Sequence, residues 1–241
     1  MRAPILLLAL TACGDDLPAA PRPGTHVVAQ VAMLPLVPAR DLDLLVVMDD
    51  TIGLLEVQQN LRTHLPALFA RLAVVDGELP GLHVGVTTSD LGTTGSSDPA
   101  RPGPTIGQPG NGGCDGLGDD GALQTFGAPI TGAFLTDVPA VGGRARNYEG
   151  ELAAVVGQQL SAGGGGCAFE QHLRAMQRAL TRPEHAGFLR PEAALAILVV
   201  ADEDDCSLRD AGLLTADTSQ LGPLTSFRCT REGVVLSLIH I

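Results

Sequence analysis

Residues 44–51 read Leu-Leu-Val-Val-Met-Asp-Asp-Thr, an apolar run that ends abruptly in two acids and a hydroxyl. Residues 196–205 repeat the pattern as Ala-Ile-Leu-Val-Val-Ala-Asp-Glu-Asp-Asp. Short apolar runs of this kind are typical of strands that are buried on both faces of a parallel sheet. In open α/β sheets the ligand site lies just beyond the carboxyl ends of such strands. We therefore expect the two acidic segments to meet at one rim of a sheet and to form the functional site.

Helical and strand patterns fill the space between these two runs. Residues 54–72 carry apolar side chains at intervals of three and four, which predicts an amphipathic helix. Residues 82–88 predict a second strand, and helices are predicted over residues 147–160 and 169–180. This succession of strands and helices predicts an α/β fold, with a Rossmann-like, largely parallel central sheet and helices on both faces.

The turn-rich span 89–146 interrupts this pattern, and its first half is dense in glycine and proline. A structureless loop of that length is rare inside a compact domain. Short strands are therefore expected near residues 122–126 and 132–138. The span is interpreted as a long Gly/Pro-rich insertion in a single domain of residues 41–235.

The composition excludes several classes of function. All 15 basic residues are arginine, so a lysine Schiff base and the lysine-dependent phosphate loop of nucleotide-binding proteins are both ruled out. The formal net charge is -12, and no basic cluster offsets it. Neutralisation of phosphates supplies most of the affinity for nucleic acid, so neither nucleic acid nor nucleotide is an expected partner. Cations are the expected small ligands.

The N-terminal residues indicate export. Residues 1–12 combine a positive start with a short apolar run that cannot span a bilayer, as in a signal peptide. Residues 10–13, Leu-Thr-Ala-Cys, resemble a bacterial lipobox, which makes Cys13 the lipidated first residue of the mature protein. An ordinary secretory signal that contains a cysteine is the alternative. Residues 13–40 are rich in proline and alanine and are interpreted as a tether. We expect an exported bacterial lipoprotein, anchored in the membrane at the periplasm or the cell surface.

Four cysteines remain beyond the lipidation site: Cys114, Cys167, Cys206 and Cys229. An even number in an exported chain predicts two disulfides, with three possible connectivities. Cys167 and Cys206 are both expected near the same sheet edge, so this pair is the first to consider. No two cysteines have C-x-x-C spacing, which argues against zinc and thioredoxin-like chemistry.

Residues 49–53, at the end of the first predicted strand, and Asp202, at the end of a later one, resemble a von Willebrand factor type A domain of the secreted bacterial lipoprotein branch. The resemblance covers about residues 41–229. It is carried further by the phrases Glu-Val-Gln-Gln-Asn-Leu at 56–61, His-Val-Gly-Val at 83–86, Cys-Ala-Phe-Glu-Gln at 167–171, Ala-Gly-Phe-Leu-Arg at 186–190 and Asp-Glu-Asp-Asp-Cys at 202–206.

The C-terminal end departs from that family. Type A domains continue with two further helices and strands, so the resemblance implies a fragment that is truncated at the C-terminus. Residues 236–241, Leu-Ser-Leu-Ile-His-Ile, match one reading frame of a transposon end sequence used in sequencing libraries. They are interpreted as an artefactual tail.

The resemblance implies a site for Mg²⁺ or Mn²⁺. In the family the first loop reads Asp-x-Ser-x-Ser, and a Thr and an Asp come from two other loops. Asp49 matches the first Asp, Thr51 the first Ser, and Asp202 the third-loop Asp. Gly53 stands in place of the second Ser, and Cys167, a poor Mg²⁺ ligand, stands in place of the Thr. The implied site is therefore degenerate. The alternative is that its acids only cap loops and carry solvated charge.

Other residues are weaker candidates. Asp115, Asp119 and Asp120 faintly resemble a calcium loop, but their spacing fails the EF-hand pattern. The four acids at 202–205 could mark a hydrolase, but consecutive side chains alternate in direction and cannot all face one ion. His83 lies in a predicted strand and is expected to pack in the core rather than to bind a metal.

Three functions are compatible with the sequence. We expect a surface-anchored binding module, not an enzyme, that recognises a protein or a surface polymer through the rim of the sheet. A structural envelope lipoprotein without a metal site is the first alternative. A metal-dependent hydrolase is the second. It would need a histidine or further carboxylates near the strand ends, and the sequence places none there.

Overall fold

A computed structural model describes residues 41–93 and 103–207, together with residues 214, 218–221, 229 and 231. The predicted signal peptide, the lipidation site at Cys13, the tether and the tail at 236–241 lie outside the described residues. None of the described helices is long and apolar enough to cross a membrane.

The strands are β1 (Leu42–Met48), β2 (Leu82–Thr88), β3 (Ile106–Pro109), β4 (Asn111–Cys114), β5 (Leu135–Ala140), β6 (Gly143–Arg146) and β7 (Ala194–Val200). The helices are α1 (Leu55–Asp76), α2 (Leu152–Gln159), α3 (His172–Thr181) and α4 (Thr218–Leu221), with 3-10 turns at Ile52–Leu54 and Pro183–His185.

The main sheet has five strands in the order β6-β5-β2-β1-β7. β1 pairs in parallel with both neighbours, so that Met48 lies opposite Thr88 on one side and Val200 on the other. The carboxyl ends of these three strands therefore share one rim, which confirms the predicted convergence of residues 49–53 with Asp202. The α/β class is also confirmed.

The other half of the sheet differs from the prediction. β5 runs antiparallel to β2, and β6 runs antiparallel to β5, so the sheet is mixed rather than largely parallel. The physical reason is that β5 is reached from the turn-rich span without a crossover helix, which a parallel neighbour would require.

The strand predicted near 122–126 is wrong. This segment runs beside β2, and the Gln124 N–H donates to the Val86 carbonyl at 2.7 Å. The Leu123 N–H, however, donates to His185 Nε2 at 3.0 Å, so no regular ladder can form. The strand predicted at 132–138 corresponds to β5, and the predicted helix at 147–160 forms only as α2.

Helices cover both faces of the sheet. Val46 and Met48 of β1 belong to a core that includes Leu65 of α1 and Val156 of α2. The alternate β1 residues, including Leu45, point to the other face and pack in a core with α3. This two-sided burial explains why residues 44–48 are uniformly apolar.

β7 forms one edge of the sheet and is more exposed than β1. Its side chains include Leu195, Ile197, Leu198 and Val199, which are 37–44% exposed. An apolar edge strand without charged residues is open to pairing with a further strand.

Arg190 clamps the end of the sheet opposite the acidic rim. Its guanidinium bonds both Asp41 and Asp43, and it also donates to the backbone carbonyls of Leu42 and Gly81. Asp43 is 1% exposed, and Arg190 supplies the cation that pairs with its buried carboxylate. His83 is buried nearby and bonds the Phe188 carbonyl at 2.8 Å through Nδ1, as expected for a core histidine.

Replacing Arg190 with alanine is expected to lower the free energy of unfolding by about 3–5 kcal/mol, because it leaves Asp43 charged and buried without its cation. Urea denaturation measures the change. The matched control is Arg71→Ala on the exposed side of α1, which should change stability by less than about 0.5 kcal/mol. Equal effects of the two substitutions on the free energy of unfolding would contradict the claim that Arg190 stabilises this end of the sheet.

Candidate metal centre

Three carboxylates from three different loops converge at the rim. Asp49 directly follows β1, Asp202 follows β7, and Glu170 lies two residues before α3. One oxygen from each can be chosen so that all three lie within 4.8 Å of one another. The structure thus brings together the predicted residues Asp49 and Asp202 and adds Glu170, which the sequence analysis did not identify.

Backbone contacts place Glu170 in the cluster. The segment before α3 crosses the rim, where the Gln171 N–H donates to the Ser89 carbonyl at 3.0 Å and the Cys206 N–H donates to the Glu170 carbonyl at 2.6 Å. Phe169 is fully buried beneath the rim. The sequence signal that could have identified Glu170 is its position between Phe169, an aromatic residue that is buried, and the start of α3. The resemblance instead directed attention to Cys167, three residues earlier.

The inner carboxylates lack hydrogen-bond donors. Asp49 is 0% and Glu170 1% exposed. Asp49 Oδ1 accepts the Thr51 N–H at 2.7 Å, but Asp49 Oδ2 and both carboxylate oxygens of Glu170 have no hydrogen-bond partner among the described residues. Ionised carboxylates buried without partners are costly, so these oxygens require either a proton or a cation.

The pKa values of Asp49 and Glu170 are raised because both carboxyls are buried with few hydrogen-bond donors. Burial raises the pKa of Asp49 to about 7, and the neighbouring Glu170 carboxyl raises it further, while the N–H and hydroxyl of Thr51 oppose the shift. Burial likewise raises the pKa of Glu170 to about 7; the Asp49 carboxyl, when it carries the proton that the pair can share, lowers it, and the charges of Glu203 and Asp202 raise it. Near neutral pH the pair therefore retains part of its protons, which a divalent cation could replace.

The structure shows the surroundings of Gly53 and Cys167, the two positions at which the sequence departs from the metal-binding pattern that the resemblance implies. A Cβ atom added at Gly53 would lie 2.9 Å from Asp202 Oδ2, so a serine there would crowd the carboxylate that joins the cluster. Cys167, at the family's threonine position, is disulfide-bonded and supplies no ligand atom to the cluster. Glu170 supplies an oxygen instead. The oxygen-only donor set of Asp49, Glu170 and Asp202, with the Thr51 hydroxyl beside it, fits a hard divalent cation.

The two disulfides join Cys114 to Cys167 and Cys206 to Cys229. The prediction of two bridges is confirmed, but the pairing of Cys167 with Cys206 is wrong. The reason is that the β3–β4 hairpin packs on the segment before α3: Gly110 N–H donates to the Gly166 carbonyl at 2.7 Å, and Ala168 N–H to the Gly113 carbonyl at 2.8 Å. This contact brings Cys114 to Cys167. One bridge therefore holds the loop of Glu170, and the other holds the loop of Asp202.

The Gln58 side chain holds the loop that carries Asp49 through hydrogen bonds to the backbone. Its side chain is 4% exposed and donates to the Asp49 carbonyl at 3.1 Å and to the Gly163 carbonyl at 2.8 Å. Its Oε1 accepts the Gly163 N–H at 3.1 Å. The side chain thus ties the loop after β1 to the glycine-rich segment that leads to Glu170.

A histidine also lies at the rim, contrary to the expectation from sequence. His172 Nε2 is 3.1 Å from Glu170 Oε2, although it makes no hydrogen bond there, and Nδ1 is 3.8 Å from Asp205. His172 is 3% exposed, and burial lowers its pKa, against the opposing charge of Asp205.

Asp115, Asp119 and Asp120 do not form a cluster of their own among the described residues. Asp115 accepts hydrogen bonds from Thr105 and Gly116, Asp119 accepts one from Thr88, and Asp120 pairs with Arg178 and Arg182. The faint calcium resemblance of these three aspartates therefore has no counterpart in the described residues. In the run 202–205, only Asp202 joins the cluster, whereas Asp205 accepts the Leu173 N–H at 3.2 Å at the start of α3.

The metal-free protein is expected to lose stability as pH rises. Folding raises the pKa values of Asp49 and Glu170, so the folded state binds more protons than the unfolded chain between about pH 4 and about pH 7. Their contribution is complete below about pH 4 and is lost through about pH 7.

Urea denaturation in a chelator from pH 5 to pH 8 measures this loss. Glu170→Gln should make the profile less steep and raise stability at pH 8 by about 1–3 kcal/mol. Part of the slope should remain, because burial also raises the pKa of Asp50 to about 8 and that of Asp90 to about 6. Glu192→Gln at the opposite end of β7 should leave the profile unchanged. A wild-type profile as flat as that of Glu170→Gln would refute the explanation.

Comparison with known proteins identifies no relative of this chain, so the description of the candidate metal centre depends on its geometry alone. No family model matches the chain, and no curated protein or solved structure matches it.

Proposed function

We propose that this chain is a surface-anchored binding module, similar to a von Willebrand factor type A domain with its Rossmann-like sheet, and that it acts through a divalent cation at the rim. Asp49, Glu170 and Asp202 would hold Mg²⁺ or Mn²⁺, with the hydroxyl of Thr51 close by. The single observation that carries the proposal is the buried Asp49–Glu170 pair, three of whose four oxygens have no hydrogen-bond partner among the described residues. A hard cation satisfies these oxygens in a way that no described side chain does.

The expected placement of the module is compatible with its covalent structure. Lipidation at Cys13 would hold the domain at the periplasm or the cell surface through the tether at 13–40. The disulfides of the described domain, each holding one loop of the candidate site, fit an oxidising compartment.

The two alternatives each leave an observation unexplained. A purely structural envelope lipoprotein would bury Asp49 and Glu170 beside a third carboxylate, the exposed Asp202, with no cation to compensate them. A metal-dependent hydrolase is favoured by His172, whose Nε2 lies 3.1 Å from Glu170 and whose Nδ1 lies 3.8 Å from Asp205. Both ring nitrogens thus face acids of the chain itself, so the binding module is the better conclusion.

Isothermal titration of the full chain with Mn²⁺ and Mg²⁺ tests the proposal. Wild-type protein should bind one ion and gain thermal stability by mass action, by about 2.7 kcal/mol at an ion concentration 100 times Kd. Asp49→Asn and Glu170→Gln should each abolish the heat of binding, because each removes one of three charged ligands.

The controls separate the competing functions. Glu192→Gln removes an exposed acid at the far end of β7 and should bind Mn²⁺ like the wild type. Absence of heat and of thermal stabilisation in the wild type would favour the structural alternative. Sustained turnover of generic esters or phosphoesters, lost in Glu170→Gln, would favour the hydrolase.

A further inference from the structure

We infer that His172 is a positioning residue that determines which cation the rim selects. Its imidazole donates from Nε2 to one oxygen of Glu170, so that this ligand offers the cation a single oxygen. The site then favours a small octahedral ion such as Mg²⁺ or Mn²⁺ over Ca²⁺. This inference rests on the proposed function and adds the basis of its selectivity.

The polar atoms of His172 and Glu170 meet in the interior. His172 is 3% exposed and Glu170 1%. The imidazole Nε2 lies 3.1 Å from Glu170 Oε2, and neither atom has a hydrogen-bond partner among the described residues. Buried polar groups are normally paired, and this separation is already within hydrogen-bond range. The two groups are not aligned for a bond, but the terminal torsion of a glutamate side chain is soft, so rotation of the carboxylate can align them.

Asp49 shows the arrangement that we infer for Glu170. Its Oδ1 accepts the Thr51 N–H at 2.7 Å, and its Oδ2 has no partner among the described residues. One oxygen of this carboxylate is thus held by the chain, and the other is left for a cation. A bond from His172 Nε2 to Glu170 Oε2 would divide the two oxygens of that ligand in the same way.

The surroundings of the other ring nitrogen favour a hydrogen on Nε2. His172 Nδ1 lies 3.8 Å from Asp205 Oδ1, which is beyond hydrogen-bond range. That oxygen already accepts the Leu173 N–H at 3.2 Å and the Ser207 hydroxyl at 2.8 Å, and the Ser207 hydroxyl accepts the Arg174 N–H at 2.8 Å. These bonds hold the first turn of α3, and with it the backbone of His172. The nearer acceptor therefore lies at Nε2, which favours the tautomer that carries its hydrogen there.

A carboxylate that is held through one oxygen affects which ion it binds well. Mg²⁺ demands a near-ideal octahedron of oxygens, whereas Ca²⁺ accepts a larger and more variable number and often takes both oxygens of one carboxylate. Hydrogen-bond partners of metal ligands typically change metal affinity by about 10- to 100-fold. Loss of the donor at Nε2 would free Glu170 to bind through both oxygens, which lowers the affinity for Mg²⁺ and spares that for Ca²⁺.

Isothermal titration of the full chain with Mg²⁺, Mn²⁺ and Ca²⁺ tests the inference. His172→Phe keeps a buried ring and removes the donor, so Mg²⁺ and Mn²⁺ should bind about tenfold more weakly or worse. Ca²⁺ binding should change by less than about threefold, because Ca²⁺ tolerates either mode of carboxylate binding. His172→Gln returns an N–H donor and should recover most of the lost Mg²⁺ affinity. His83→Phe makes the same substitution in a buried histidine at the opposite end of the sheet and should leave all three affinities unchanged.

The other outcomes of the titrations separate the two proposals. Equal weakening of all three cations by His172→Phe, without recovery in His172→Gln, would indicate a purely structural role, and no weakening would indicate no role at the site. Either result would overturn the inference and leave the metal site intact. Absence of binding of any cation by the wild type would instead overturn the proposed function, and the inference with it.

A measurement on the wild type keeps the inference testable if His172→Phe does not fold. The ring ¹⁵N resonances of the Mg²⁺-loaded chain report which nitrogen of each of its six histidines carries a hydrogen. The signals that are missing from His172→Gln belong to His172. Its Nε2 should carry a hydrogen in the loaded protein. A bare Nε2 would mean that the imidazole binds the cation itself or accepts a proton from Glu170, and it would overturn the inference.

Discussion

The structure of the rim depends on the burial of two carboxylates against each other. Asp49 and Glu170 are almost wholly removed from water, and the charges of Asp202 and Glu203 that act on Glu170 have the same sign. Such an arrangement is unfavourable when both groups are ionised, and the raised pKa values of both acids express that cost. A buried pair of acids that repel each other at the end of the central strand is most simply explained by a ligand that relieves the repulsion.

The rest of the domain holds these carboxylates in place. Gln58 and two disulfides fix the loops that carry the cluster, so that repulsion cannot simply spread the acids apart. At the opposite end of the sheet, Arg190 satisfies a second pair of acids with a full set of hydrogen bonds. The two ends of the sheet thus differ: Asp43 pairs with an arginine of the chain itself, whereas Asp49 has no ion pair with an arginine among the described contacts. This contrast supports the proposal that a cation from outside the chain binds at the rim.

Much of this arrangement could be predicted from the sequence, for identifiable reasons. The apolar runs at 44–48 and 196–200 predict two buried strands, and these strands are parallel neighbours in the sheet. Because the carboxyl ends of parallel strands share one rim, Asp49 and Asp202 could be predicted to lie close together. Glu170 could not be placed in the same way, because its position depends on how the glycine-rich segment crosses the rim. The pairing of Cys114 with Cys167 likewise depends on docking of the β3–β4 hairpin, a contact between distant segments that no local pattern encodes.

The most direct test of the cation account is the number of protons released when Mn²⁺ binds at pH 7. Titrations in buffers of different ionisation enthalpy give this number. Since the Asp49 and Glu170 pair has raised pKa values of about 7, binding should release about one proton from the wild type and markedly fewer from Glu170→Gln. Binding with no proton release, or with the same release in both proteins, would contradict the claim that the cation replaces the shared protons of this pair.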